Sequence, residues 1–187
     1  MYSTTDFRKN LKIEINGEPY VILECQHVKP GKGVAFVKTR YKSLISGRVL
    51  EENFRSGDKV QVPNLEANKM QYLYMEDGDY VFMDTTSYEQ IRLLGATLEH
   101  VAGFMKDNIE VDVLFHNGNP ISVDLPTFIE ATIVQVDPGF KGDTVQGGTK
   151  PATIESGAVI QVPLYIKQGE LIRIDTRTSE YVERVNK

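Results

Sequence analysis

Leu11-Lys12-Ile13-Glu14-Ile15-Asn16-Gly17-Glu18-Pro19-Tyr20-Val21-Ile22-Leu23-Glu24-Cys25 is the stretch that decides the fold class. Leu11 to Ile15 alternates apolar and polar side chains, the period of a strand with one buried face. Tyr20 to Cys25 reads as a second extended run. Between them, Asn16-Gly17-Glu18-Pro19 supplies a turn, and Asn-Gly between two such runs is a strong hairpin signal.

The same grammar continues in both directions. Ala35–Lys42 alternates again, with Ala35, Val37, Thr39 and Tyr41 on one face and Phe36, Lys38, Arg40 and Lys42 on the other. Turns at Ser46-Gly47 and Ser56-Gly57-Asp58 lead to strands over Arg48–Phe54 and Lys59–Val62. About five short strands in some 60 residues is the spacing of a small barrel. Pro63-Asn64 marks a boundary. Beyond it come strands over Met70–Met75 and Tyr80–Asp84, joined by Glu76-Asp77-Gly78-Asp79. Ser87 is expected to cap a short helical piece, and Leu98–Lys106 to form a helix weakened by Gly103. Asn108–Phe115 and Ile121–Leu125 form a hairpin around Asn117-Gly118. After Pro126, strands are expected over Phe128–Val136, Ala158–Ile166, Leu171–Asp175 and Glu180–Val185, with Phe140–Thr153 as a loop. Pro163 argues for an edge or a bend. The chain therefore reads as all-β with units 1–64, 65–127 and 128–187. The last two each fit a five-stranded oligonucleotide-binding (OB) barrel.

Composition narrows the function. The 187 residues are 41% hydrophobic and 25% charged, an ordinary globular balance. No apolar run reaches the roughly 18 residues of a membrane span, and Met1 to Lys12 lacks a signal-peptide core. A cytoplasmic protein without a membrane partner is expected, and nothing demands an oligomer, so a monomer is. The single cysteine, Cys25, excludes an intrachain disulfide framework and is expected to be a buried small hydrophobe. The net charge of −5 hides a polarity. Residues 1–64 hold 11 Lys+Arg against 7 Asp+Glu, a net of +4; residues 65–127 hold 3 against 11, a net of −8; residues 128–187 hold 7 against 8, a net of −1. A basic first third suits RNA phosphate, while the acidic middle avoids it or faces basic protein.

Catalytic patterns fail. His27, His100 and His116 lack ligand spacing, a Cys-type zinc site is excluded, and no Gly-x-Ser-x-Gly elbow occurs. Gly31-Lys32-Gly33 lacks the Ser or Thr and the distant Gly of a phosphate loop. Glu51 and Glu52 are strand neighbours and point to opposite faces. No metal, no cofactor and no enzymatic activity are expected.

One segment remains: His27-Val28-Lys29-Pro30-Gly31-Lys32-Gly33-Val34-Ala35-Phe36. Pro30-Gly31 suits the centre of a type II turn with a positive φ at Gly31. Lys32 then stands at a hairpin tip with no neighbouring side chain to shield it. The bland alternative is a solubilising surface lysine.

Lys29-Pro30-Gly31-Lys32-Gly33 with Ala35-Phe36 resembles the first-domain loop of the bacterial elongation factor P family. Lys150-Pro151-Ala152-Thr153, Gly157, Val162-Pro163 and Gly169 resemble that family's C-terminal signature in order and spacing. Gly142-Asp143-Thr144 looks like its third-domain loop, and Asp175-Thr176 with Tyr181 to Arg184 like its closing hairpin. The resemblance runs along essentially the whole chain. It implies three β-barrels in an L shape similar to transfer RNA, an SH3-like (KOW-like) barrel followed by two OB folds. It also implies a translation factor that binds the ribosome between the P and E sites, beside peptidyl-tRNA, and relieves stalling at consecutive prolines. Lys32 matches the lysine that a modifying enzyme acts on in many members. Lys29, Lys38, Arg40 and Lys42 are then expected to hold RNA phosphate. Gly142, Asp143 and Thr144 would approach mRNA in the E site, and Tyr181 and Arg184 would offer a stacking ring and a guanidinium. For the last two, barrel core and surface pairing is the plain alternative. A general single-stranded RNA-binding or chaperone protein is the competing function.

Overall fold

The structure is a computed structural model and describes residues 1–138 and 148–185. It is all-β, with 16 strands among the described residues and a single four-residue α-helix.

The first barrel-like unit is built on the hairpin over Leu11–Cys25. β1 (Tyr2–Ser3), β2 (Lys12–Ile15), β3 (Glu18–Val28), β4 (Phe36–Ser43), β5 (Val49–Arg55) and β6 (Lys59–Val60) supply its strands. β2-β3-β4-β5 form a four-stranded antiparallel sheet, and β1 pairs with β6. β2 and β3 meet through two residues, Asn16 (φ 52°) and Gly17 (φ 79°), the left-handed pair of a type I′ turn. The turn is thus tighter than the sequence suggests, because Glu18 already pairs with Ile15. Val37, Thr39, Tyr41 and Ser43 face inward on β4 while Lys38, Arg40 and Lys42 face out, as the alternation requires. The core holds Phe7, Leu11, Ile13, Tyr20, Ile22, Val37, Tyr41, Phe54 and Val60. Phe7 and Phe54 pack edge to face at 5.3 Å, as do Tyr20 and Tyr41 at 5.0 Å. Cys25 is only partly buried. It packs against this core, and its Sγ donates to Phe7 O at 3.4 Å.

A second sheet follows, with strand order β11-β10-β7-β8-β9. Its strands are β7 (Leu65–Glu76), β8 (Asp79–Asp84), β9 (Gln90–Leu93), β10 (Glu110–His116) and β11 (Asn119–Asp124). Type I′ signatures recur at Asp77 (φ 53°)-Gly78 (φ 88°) and Asn117 (φ 49°)-Gly118 (φ 79°). Ser87 caps no helix. Asp84 Oδ1 accepts the backbone N–H groups of Thr86 and Ser87 at 2.7 and 2.8 Å, and this turn feeds β9, a strand the sequence reading lacks. The helix expected over Leu98–Lys106 shrinks to α1 (Glu99–Ala102), with Gly103 at its C-cap.

The third sheet has the order β14-β13-β12-β15-β16. β12 (Phe128–Val136), β13 (Thr149–Ile154), β14 (Val159–Pro163), β15 (Leu171–Asp175) and β16 (Glu180–Arg184) compose it. Pro163 ends the edge strand, where no donor is needed. The expected loop over Phe140–Thr153 gives way to β13 from Thr149 onward. This core comprises Ala131, Ile133, Ala152, Ile154, Ile160, Val162, Ile166, Ile172 and Ile174, and Phe104 from outside the sheet is buried with them. Gly103 lets that segment approach: a Cβ there would stand 3.1 Å from the Cβ of Ala158, and Ser156 Oγ donates to Gly103 O at 2.7 Å.

By compactness the chain divides into two units, Met1–Asn68 with Val113–Ser122, and Lys69–Asp112 with Val123–Lys187. The first unit therefore includes the β10–β11 turn. There His116 Nε2 lies 2.9 Å from Glu14 Oε2, and Asn117 N–H donates to Asn64 O at 3.2 Å. No helix among the described residues is long and apolar enough to cross a membrane.

Candidate nucleic-acid interface

The base of the β3–β4 hairpin is fastened by side chains. Ser43 Oγ and Tyr20 Oη both donate to the Glu18 carboxylate, at 2.5 and 2.9 Å, and Ser43 Oγ accepts from the N–H groups of Ile45 and Ser46. Tyr41 Oη donates to Glu52 Oε2 at 2.8 Å, and burial first, then that carboxylate, pushes the Tyr41 phenol well above its ordinary range. A bulge between Ile22 and Glu24 bends β3. Past it, Glu24, Gln26 and His27 are exposed, so the far end of the hairpin leaves the core.

At that end the backbone carries Lys29, Pro30, Gly31, Lys32, Gly33 and Val34, all exposed. The positive φ lies at Gly33 (φ 124°), not at Gly31 as the type II reading expects. The backbone bends over Gly31, Lys32 and Gly33 together. A Cβ on Gly33 would approach the Pro30 ring at 3.7 Å, so the residues flanking Lys32 close on each other beneath it.

The outer face of β4 is less available than its sequence implies. Lys38 Nζ sits 2.9 Å from Glu51, and Arg40 lies 3.9 Å from Glu24. Lys42 has no ion pair among the described residues. Exposed pairs of this kind are worth about 0–1 kcal/mol and exchange readily, but they draw down the free positive charge of the face. Glu51 and Glu52 do point to opposite faces, one to Lys38 and one to Tyr41.

In the closing hairpin, Tyr181 is half-buried against the third core. Its hydroxyl lies 3.2 Å from that of Tyr165, and burial, then Tyr165, pushes its phenol up to about 12. Arg184 donates to Glu170 Oε1 at 3.0 Å. The Lys167 backbone N–H and then Arg184 hold the Glu170 carboxyl below its usual value. Both side chains thus have partners within their own barrel. Gly142, Asp143 and Thr144 lie outside the described residues.

The sequence reading missed one cluster of cations. Arg8, Lys9 and Lys12 stand exposed on the first unit and enter no ion pair among the described residues. The signal was present: Phe7 and Leu11, both buried, bracket a short polar bulge. Elsewhere, a hollow of about 270 Å³ is walled by Ile109, Pro126, Phe128 and Ala131. Its one amine, Lys106, is tied to Glu155 at 2.9 Å. No group of three His, Cys, Asp or Glu side chains among the described residues is placed to hold a metal.

The chain matches the family profiles for the elongation factor P KOW-like domain over residues 3–60, the OB domain over 65–123 and the C-terminal domain over 129–184. It is 50% identical over 185 residues to elongation factor P of Natranaerobius thermophilus, covering 99% of this chain and 98% of the relative. The chain belongs to the elongation factor P family. Elongation factor P of Desulfovibrio desulfuricans is similar to the same degree, 49% identical over 184 residues, with 98% of this chain and all of that one covered. Among solved structures, eukaryotic translation initiation factor 5A from Methanococcus jannaschii matches 65% of this chain and 92% of its own at a TM-score of 0.54. At 23% identity that likeness speaks to the fold alone. Membership in the elongation factor P family makes this a translation elongation factor and implies interaction with the ribosome.

Proposed function

We propose that this factor binds the ribosome between the P and E sites and stimulates peptide bond formation at consecutive prolines, with Lys32 reaching toward the end of the peptidyl-tRNA. The observation that carries the reading is the exposed loop Lys29–Val34 on a hairpin whose base is fixed by Glu18, Ser43 and Tyr20. A rigid stalk with a flexible cation at its end is suited to ordering a substrate rather than reacting with it. Proline, with its ring-fixed backbone and secondary amine, is a poorly oriented nucleophile. Holding the peptidyl end in a reactive pose lowers the barrier by up to about 7–11 kcal/mol in ideal systems. The ribosome supplies the chemistry and the factor supplies the order.

The exposure of Lys32 also leaves it open to a modifying enzyme, and a longer side chain extends the reach. In this reading residues 1–64 form the domain that meets the tRNA acceptor end, 65–127 the central domain and 128–187 the domain nearest the mRNA. Lys29, Lys42, Tyr181 and Arg184 are secondary contacts, and Lys38 and Arg40 contribute once their carboxylates are exchanged for phosphate. The factor works in the cytoplasm as a monomer.

The test is tripeptide formation on purified ribosomes with a Pro-Pro-Pro template beside a Phe template. Native factor is expected to accelerate the proline reaction alone, and Lys32→Ala to abolish the gain. Native factor that binds RNA yet leaves the proline rate unchanged would replace this reading with that of a general single-stranded RNA-binding protein.

A further inference from the structure

Outside β4, the first unit carries a second group of cations that enter no ion pair among the described residues. Phe7 is 4% exposed and Leu11 7%, so both ends of a short segment are pinned in the core. Between them the backbone bulges outward. Asn10 adopts φ 68°, its N–H donates to Ile22 O at 2.8 Å, and Leu11 N–H donates to Arg8 O at 3.1 Å. The bulge and the start of β2 present Arg8, Lys9 and Lys12 to a groove of about 430 Å³, which Tyr2 and Val62 also line. No carboxylate among the described residues lines this groove. Asp6 lies close enough to Arg8 for its own carboxyl to feel that charge, but it makes no ion pair with it. The contrast with β4 is direct, since Lys38 and Arg40 each have a carboxylate within 4 Å.

We infer that the groove bounded by Arg8, Lys9 and Lys12 is a phosphate-tracking contact for an RNA backbone, and that it holds the first unit on RNA more strongly than the Lys38–Arg40 face does. The backbone that carries Arg8 and Lys9 is fixed at both ends and loses little order on binding, and the charge of the three cations is not first drawn from an internal partner. The half-buried Tyr2 adds a ring and a hydroxyl beside the phosphate track. The lining is dominated by cations, which suits a contact to sugar and phosphate. This inference rests on the ribosomal reading above for the identity of the RNA, but not for the existence of the contact.

The experiment measures affinity for ribosomes carrying peptidyl-tRNA across a range of potassium chloride. It compares wild type, R8A/K9A/K12A, the charge-only variant K9Q/K12Q and the face variant K38A/R40A, each first checked for an unchanged melting transition. Should the triple variant fold poorly, K9Q/K12Q carries the test. Losing three phosphate contacts is expected to flatten the slope of log affinity against log salt by about two to three, and two contacts by about two, at roughly 0.9 per contact. The face variant is expected to change the slope less. A photoreactive phenylalanine analogue at Val62 is expected to crosslink to RNA. An unchanged slope in the groove variants, a larger loss in the face variant, or crosslinks to protein alone would each overturn the inference. Because the readout is binding, it stands apart from proline synthesis: a factor that fails to accelerate Pro-Pro-Pro would sink the proposed function and leave the groove still tested.

Discussion

At the scale of single residues, two glycines beside one lysine behave differently, and the difference is measurable. Gly33 sits at φ 124°, a conformation that L side chains rarely adopt, whereas Gly31 has neither a positive φ nor any atom within 4 Å of the place a methyl group would take. Gly33→Ala introduces strain of about 1–3 kcal/mol. The loop is exposed, so it relieves that strain by rearranging rather than by unfolding the barrel. The prediction is a marked drop in proline-specific stimulation with an almost unchanged melting temperature, while Gly31→Ala leaves both near wild type. Equal effects of the two substitutions on synthesis would show that Gly33 does not shape the loop. A second residue-scale prediction concerns acid. Arg177 beside Asp175 holds that carboxyl at about 2, from an ordinary 3.8. A depressed folded pKa stabilises the fold at pH values above 3.8, and that contribution fades as pH falls toward 2. Asp175→Asn is therefore expected to flatten the decline of melting temperature between about pH 4 and pH 2. The clasp of Arg177 on Asp175, two residues away, is a matter of side-chain reach that spacing does not encode.

At the scale of elements, what was legible followed from backbone chemistry that a dipeptide carries by itself. Asn16-Gly17, Asp77-Gly78 and Asn117-Gly118 are all left-handed pairs in tight hairpins, and each was readable because few other residues adopt that geometry. The strands expected over Phe128–Val136 and Leu171–Asp175 stand as β12 and β15 with those bounds. β9 and β13 were not legible. β9 has four residues, too few to show a period. β13 contains Pro151, which argues against a strand, yet it lies opposite Gln161 of β14, and just past the end of the β12–β13 ladder at Ala152 its carbonyl still accepts from Asp137 N–H at 3.0 Å, so only one donor at the ladder's end is lost. Tertiary pairing decided both, and no local signal anticipates it. One glycine outside any turn motif makes a sharp element-scale prediction. A Cβ on Gly95 would collide with the carbonyl oxygen of Gly78, in the turn that joins β7 to β8. That contact is backbone on backbone and has no flexible end to move. Gly95→Ala is expected to destabilise by about 1–3 kcal/mol or more in urea denaturation. Gly118→Ala, at a turn with open space around it, bears only the cost of its positive φ. A Gly95→Ala loss no greater than that of Gly118→Ala would mean the turn can shift aside.

At the scale of the whole molecule, the sequence displayed a charge gradient and two boundaries, but not which segments are compact together. Two side chains explain why. Phe104 lies outside the third sheet and is 7% exposed within its core, a contact that no periodicity within residues 128–187 could disclose. His116, one of three histidines without ligand spacing, is 7% exposed and rests against Glu14, 102 residues away. Each belongs to a different compact unit. Phe104→Ala removes a buried ring and is expected to cost about 3–5 kcal/mol. His116→Ala leaves the Glu14 carboxylate, its side chain only 14% exposed, without that partner, and is expected to cost about 1–3 kcal/mol. Substitutions at sites that share no partner usually add within about 0.3–0.5 kcal/mol. The double variant is thus predicted to lose the sum of the single losses in equilibrium urea unfolding at fixed pH. If the transition resolves into two steps, each single variant should move only one of them. A coupling energy well beyond about 0.5 kcal/mol, or a shift of both steps by either substitution, would show that the two sites are energetically linked and that the division into two units has no energetic counterpart.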